Sequence, residues 1–92
     1  AENEKNDFIR ISTDIVKYHH ENWDGSGYPD GLSGNRIPLA AQIVAIIERY
    51  CALTEQGKNG RKEALEIMSK EAGKRFNPDI LNICSKIARQ FC

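Results

Sequence analysis

His19-His20-Glu21-Asn22-Trp23-Asp24-Gly25-Ser26-Gly27-Tyr28-Pro29-Asp30-Gly31 decides how the rest of the chain is read, because a periodic segment ends there and a segment unsuited to helix or strand begins. Before it, Phe8, Ile11, Ile15 and His19 recur at helical spacing, and Ile9, Val16 and His20 form a neighbouring stripe. An amphipathic helix from about Asp7 is therefore expected to carry both histidines at its end, and its two stripes imply burial on more than one side. After it, Gly25, Gly27, Gly31, Gly34 and Asn35 hold too many backbone breakers for a regular element. The segment is expected to be a loop, with several glycines at positive φ.

Beyond the loop, Pro38 suits the first position of a second helix, where its missing N–H costs nothing, and Gly57 suits the end. Residues 38–56 read as the longest element. Leu39, Ile43, Ile46, Ile47, Tyr50 and Leu53 make one apolar face, and Ala41, Val44, Ala45 and Ala52 make another of small side chains, so this helix is expected at the centre. Gln56 to Gly60 reads as a turn. Ala64, Leu65, Met68 and Ala72 suggest a third helix closed by Gly73, and Asn77-Pro78 is an N-cap and first-turn pair opening a fourth through Ile80, Leu81, Cys84, Ile87, Ala88 and Phe91. No segment alternates with period two. The fold class is all-α, about four helices with a long glycine-rich loop between the first two.

The chain has 92 residues, 40% hydrophobic and 28% charged, which suits one small domain. A core of that size is modest, so an apolar face without a partner inside the chain should find one outside it, and a homo-oligomer is expected. Thirteen Lys and Arg balance thirteen Asp and Glu with no one-signed block, which argues against a nucleic-acid tail or a membrane-surface segment. No apolar run reaches the roughly 18 residues of a membrane span, and Ala1 to Asp7 is too polar for a signal peptide, so the expected location is cytoplasmic. Cys51, Cys84 and Cys92 are odd in number and form no CxxC pair, which suggests reduced thiols and no structural zinc site.

Adjacent histidines at a helix end suggest metal binding, because neutral imidazole is the commonest metal ligand and neighbouring residues point about 100° apart on a helix. The ordinary alternative is a pair of helix-end residues capping carbonyls. Glu48 is a carboxylate on a nearly all-apolar helix and should be paired, since burying it alone is costly. It is expected to face the end of the first helix near His19 or His20; otherwise it is an exposed glutamate with charged neighbours. In the loop, Gly25, Gly27 and Gly31 permit tight reversal, Asp24 can accept from its own loop amides, and Tyr28 with Pro29 forms a rigid apolar plug. The plain reading of that loop is a connector holding two helices in register.

The string from His19 to Leu39 resembles the HD-GYP family of metal-dependent phosphodiesterases, whose signature here reads HHE, DGSGYP, GL, G and IPL. The resemblance continues through Ala41-Gln42-Ile43, Ala52-Leu53, Ala64-Leu65-Glu66, Ala72-Gly73 and Phe76-Asn77-Pro78, and covers about residues 13 to 85. It implies a bacterial signalling hydrolase with a binuclear or trinuclear iron or manganese centre, acting on cyclic di-GMP. It also implies that His19 and His20 are metal ligands, that Glu48 stands where the family has a ligating aspartate, and that the loop of Asp24, Gly25, Gly27, Tyr28, Pro29 and Gly31 borders the site and recruits a signalling partner.

Departures from the family qualify those expectations. Glu48 adds a methylene of about 1.5 Å to a site tolerant of about 0.2 Å in bond length. The arginine of the family's ARI segment is Gln42 here, and its basic phosphate-holding segment is shortened to Gly60-Arg61-Lys62, so Arg61 and Lys62 are either phosphate contacts or solvated surface. The eponymous His-Asp pair and other ligands precede HHE in the family and have no counterpart here. The expectation is a truncated, degenerate C-terminal half of an HD-GYP domain, with residues 1–12 a tail and helix start and residues 13–92 the partial domain. Two histidines and a carboxylate meet at most the minimum for a mononuclear site. The chain is thus expected to be inactive alone and to act through protein contacts; the alternative is a piece of an active cyclic di-GMP phosphodiesterase whose remaining ligands lie elsewhere.

Overall fold

Among the described residues, four α-helices are arranged so that the last three enclose the core and the first lies outside it. The computed structural model describes residues 2–56 and 59–91. Its helices are α1 (Glu2–Tyr18), α2 (Leu39–Cys51), α3 (Arg61–Ser69) and α4 (Pro78–Ile87), and no β-strand is present among the described residues. The chain is therefore all-α, as its periodicities indicate.

The core consists of Ile46 and Tyr50 of α2, Ala64 and Met68 of α3, Phe76, Leu81 and Cys84 of α4 and its approach, and Ala88. Ala64 and Met68 are fully buried, so the small alanine lets α3 lie close while the methionine fills the space between helices. Phe91 closes the far end, edge-on to Tyr50 at 5.7 Å between ring centres. α2 contacts α1, α3 and α4, which is the central position its two apolar faces call for.

Pro38 sits at the N-cap rather than inside α2, with the amide of Gln42 bonded to its carbonyl at 3.1 Å. The helix departs from α geometry after Cys51 and runs as a π turn over Ala52–Gln56, where the Thr54 hydroxyl bonds the Tyr50 carbonyl. Asn59 ends it, donating both its amide and its side chain to the Leu53 carbonyl. Gly57, the residue expected to close this helix, lies outside the described residues, as does Cys92. Asn77 caps α4 as expected, its Oδ1 accepting from the Asp79 amide at 3.0 Å, and Gly73 stands at φ +82° in the turn after α3.

α1 departs from expectation in two respects. It starts at Glu2, so residues 2–12 are helical and the expected tail is part of α1; it ends at Tyr18, leaving both histidines in the turn that follows. Nor are both apolar stripes buried: Phe8 and Val16 are 72% and 74% exposed, and Ile9 and Ile11 are exposed as well. The reason is geometric, since α1 packs on α2, and one neighbour covers one side of a helix.

Candidate functional site

The site begins where α1 stops. The amide of His19 still bonds the Ile15 carbonyl at 3.1 Å, and the amide of Glu21 bonds that of Tyr18 at 3.0 Å, so both imidazoles leave a tightened last turn. His19 Nδ1 lies 2.7 Å from the Ile15 carbonyl oxygen. A carbonyl only accepts, so Nδ1 carries the hydrogen, and in the neutral ring the lone pair resides on Nε2. Nε2 stands 3.9 Å from Oε2 of Glu48 on α2. Glu48 therefore faces the histidine turn as expected, but at 58% side-chain exposure it is not buried; the edge of α2 it occupies opens to solvent.

His20 lies beside His19, with ring centres 4.0 Å apart, and its other side stacks on Tyr28 at 4.9 Å. Tyr28 is 61% exposed, so it lids the imidazole and does not form the apolar plug anticipated for Tyr28-Pro29. The loop returns Tyr28 to this position by specific means. Gly27 presses on the histidine turn so closely that a Cβ there would come within 2.4 Å of the His20 carbonyl oxygen and 2.5 Å of the Asn22 nitrogen. Gly25 and Gly31 hold φ of +85° and +67°, and Asp24 accepts from the Ser26 amide at 3.0 Å. The Ser26 hydroxyl and amide together hold the Asp24 carboxyl below the usual carboxylate range.

Glu21 organises the other half of the loop. It is buried at 3% exposure, and its two oxygens accept from the amides of Asp30, at 2.8 Å, and Leu32, at 3.0 Å. A buried carboxylate needs such partners, and here they come from loop backbone that would otherwise be unpaired. Its role was not read from the sequence, although its place directly after the histidine pair and before a run of glycines is a signal of a loop anchor.

At its start, the loop is stitched to the turn before α4, Trp23 N to Arg75 O at 3.1 Å and Asp24 N to Lys74 O at 2.9 Å. The result is a pocket of about 450 Å³ lined by His19, His20, Tyr28, Glu48, Arg49 and Arg75 among others. Arg49 and Arg75 escaped the sequence reading; Arg49, a cation in an apolar helix beside Glu48, was the available signal. The cations that were singled out do not reach the pocket. Arg61 and Lys62 are exposed at the start of α3, Lys62 lining a cleft with Leu65 and Ser69, and Arg61 another with Lys86 and Arg89. Gln42 is buried and structural, donating to the Ile37 carbonyl at 2.8 Å and accepting from Asn77 Nδ2 at 3.2 Å.

The donor set can be tested against a metal. His19 fits, since its Nδ1–H is fixed on a carbonyl and its Nε2 is directed outward, the usual arrangement of a ligating histidine. Glu48 fits with it, because 3.9 Å lies within reach of two metal–ligand bonds of about 2.0–2.2 Å each. His20 stacks its ring face on Tyr28, a contact that does not engage its in-plane nitrogens, and among the described residues no group of three His, Cys, Asp or Glu side chains is arranged to hold a metal ion. What the pocket presents is a pair of donors, His19 Nε2 and Glu48 Oε2, 3.9 Å apart.

Residues 5–80 match the model of a protein family described as an HD domain. Among curated proteins, the chain is similar to a probable cyclic di-GMP phosphodiesterase of Vibrio cholerae, with 36% identity covering 80% of this chain and 18% of that one. It is also similar to the cyclic di-GMP phosphodiesterase response regulator RpfG of Xanthomonas campestris, with 53% identity covering 53% of this chain and 13% of the relative. The chain thus spans under a fifth of the length of these relatives. Among solved structures, a cyclic GMP-AMP-specific phosphodiesterase of V. cholerae superimposes with a TM-score of 0.77 at 21% identity, covering 87% of this chain and 19% of that one. That likeness concerns the fold.

Proposed function

The chain belongs to the HD domain family, and from that premise we propose that it forms one wall of a metal-dependent phosphodiesterase site of the HD-GYP kind, is inactive alone, and acts in signalling through protein contacts. The carrying observation is His19, whose Nδ1 is held on the Ile15 carbonyl and whose Nε2 faces Glu48 across 3.9 Å beside an open pocket. His19 and Glu48 are the residues that would hold an ion of iron or manganese, with His20 adjoining. Such an ion supplies acidification of water and neutralisation of phosphate charge. The protein's own part is to orient His19 through its carbonyl bond, to cover His20 with Tyr28, and to fix the loop that shapes the pocket mouth through Glu21. The similarity to cyclic di-GMP phosphodiesterases supports a cyclic dinucleotide, cyclic di-GMP first, as the substrate class.

The donor count supports the inactive reading: among the described residues no three His, Cys, Asp or Glu side chains gather to hold an ion, and His19 with Glu48 is fewer ligands than a di-metal site uses. The same reading includes assembly: Phe8, Ile9, Ile11 and Val16 present an exposed apolar face on α1 suited to a second copy, and the glycine loop with exposed Tyr28 suits a signalling partner. A second reading, that these residues are part of an active phosphodiesterase whose other ligands lie outside them, is favoured by the small share of each relative's length that the chain spans. Incubation with Mn²⁺ or Fe²⁺ and cyclic di-GMP, followed by chromatography of the linear product, tests the first reading. No turnover by the 92-residue chain is expected, and turnover above the metal-only control would overturn it.

A further inference from the structure

The pocket wall formed by α2 and the turn before α4 carries a charge cluster that the metal reading does not use. Arg49 grips Glu71 as a fork, Nε to Oε1 at 3.1 Å and Nη2 to Oε2 at 3.0 Å, and Nη1 of Arg75 reaches the same Oε2 at 3.3 Å. Two guanidiniums on one carboxylate leave one positive charge uncompensated within the cluster. A tie between α2 and the turn needs only Arg49 and Glu71; the second arginine adds charge rather than connection.

Arg75 is also fixed in place more firmly than an ordinary surface cation. Its backbone carbonyl accepts from Trp23 of the glycine loop at 3.1 Å, and its guanidinium lies 5.6 Å from the centre of the Phe76 ring. Arg49 and Arg75 both line the pocket of His19 and His20, and their side chains stay 28% and 46% exposed, so a ligand can reach them. Among the described residues, the bonds to Glu71 use two of the five N–H donors of Arg49 and one of those of Arg75. Planar donors with spare N–H groups, held beside a cavity and carrying one positive charge more than Glu71 balances, are suited to phosphate oxygens in paired hydrogen bonds, with the Glu48 carboxylate on the same wall set toward His19.

We propose that Arg49 and Arg75, gathered on Glu71, are the phosphate-recognising residues of this pocket and grip the non-bridging oxygens of a phosphodiester whose other side faces His19 and His20. Glu71 is a positioning residue: it aligns the two guanidiniums and holds part of their charge in check. The inference deepens the phosphodiesterase reading and rests on it for the identity of the ligand, while the anion chemistry stands on the arginines themselves.

The experiment is an NMR titration of the chain with two probes, inorganic phosphate and cyclic di-GMP, for the wild type and for Arg49→Gln, Arg75→Gln and Glu71→Gln, with the melting temperature recorded for each. Arg75→Gln should keep the fold and weaken binding of both probes about tenfold, the loss of a charge-assisted bond. Arg49→Gln should weaken them similarly where it folds. Glu71→Gln should lower the melting temperature yet bind phosphate at least as tightly as the wild type, because both cations are released from it. A structural role alone would instead make affinity follow stability, with Glu71→Gln among the weakest binders. Wild-type binding of cyclic di-GMP that is indifferent to Arg75→Gln would overturn the inference and leave the phosphodiesterase reading standing. Arginine-dependent binding of phosphate without any binding of cyclic di-GMP would support the inference and count against that reading. Failure of the wild type to bind either probe would overturn the inference.

Discussion

Glu21 is 3% exposed and bonded to the amides of Asp30 and Leu32, so Glu21→Ala strands two loop donors and leaves a void where a carboxylate stood. The expected loss is about 2–4 kcal/mol, read as a lower urea midpoint at unchanged slope. Gly27→Ala should be comparably damaging, because the backbone atoms a Cβ would strike, at 2.4–2.7 Å, belong to the histidine turn and cannot swing away. Asp24 makes a pH-dependent contribution. Its carboxyl is held low by Ser26, so the stability it confers is present above the ordinary carboxylate value of 3.8 and is lost as pH falls through the lower folded value. Melting temperatures between pH 2 and 7 should show the wild type ahead of Asp24→Asn by a constant margin above about pH 5, shrinking as acid is added. At this scale the sequence disclosed Asp24 and the positive-φ glycines, because turn chemistry is local. It did not disclose that Glu21 binds amides nine and eleven residues away, since nothing local encodes that return.

α4 opens where Asn77-Pro78 indicates, and the same Asn77 side chain that caps it also donates to Gln42 of α2. Asn77→Ala should therefore cost more than the roughly 1 kcal/mol of a lost cap, because Gln42, at 8% exposure, loses a partner as well. A double-mutant cycle with Gln42→Ala should return a coupling of about 0.5–1.5 kcal/mol, and strict additivity would show the bond to be idle. The four helices were legible from periodicity and from caps because both are carried within a few residues. The π turn over Ala52–Gln56 was not, since it shows only in the hydrogen bonds that depart from α geometry after Cys51. The extent of α1 was misjudged because its polar first turns lack an apolar stripe, although nothing in them forbids helix. Glu48 facing His19 was legible because a carboxylate on a nearly all-apolar helix calls for a partner; its exposure was not, because that depends on which edge of α2 remains uncovered.

The radius of gyration of 13.7 Å exceeds the about 12 Å usual for a domain of this length, in keeping with a first helix that stands outside the core. Phe8, Ile9, Ile11 and Val16 on that helix should drive self-association, so light scattering is expected to return a mass above that of the monomer, with Val16→Glu restoring the monomer. A strict monomer at high concentration would remove the assembly from the account. The approach of Arg75 to the histidine pocket also belongs to this scale. It depends on backbone bonds from Trp23 and Asp24 to a turn some fifty residues later, and no motif in the chain announces it. The claim on which most depends is that His19, with Glu48 opposite, forms an edge of a metal site that this chain leaves open. Calorimetric titration of Mn²⁺ into the wild type and into His19→Ala tests it most directly. Weak binding of one ion, abolished by His19→Ala with the fold intact, is predicted; identical isotherms for the two proteins, or tight uptake of two ions per chain, would contradict it.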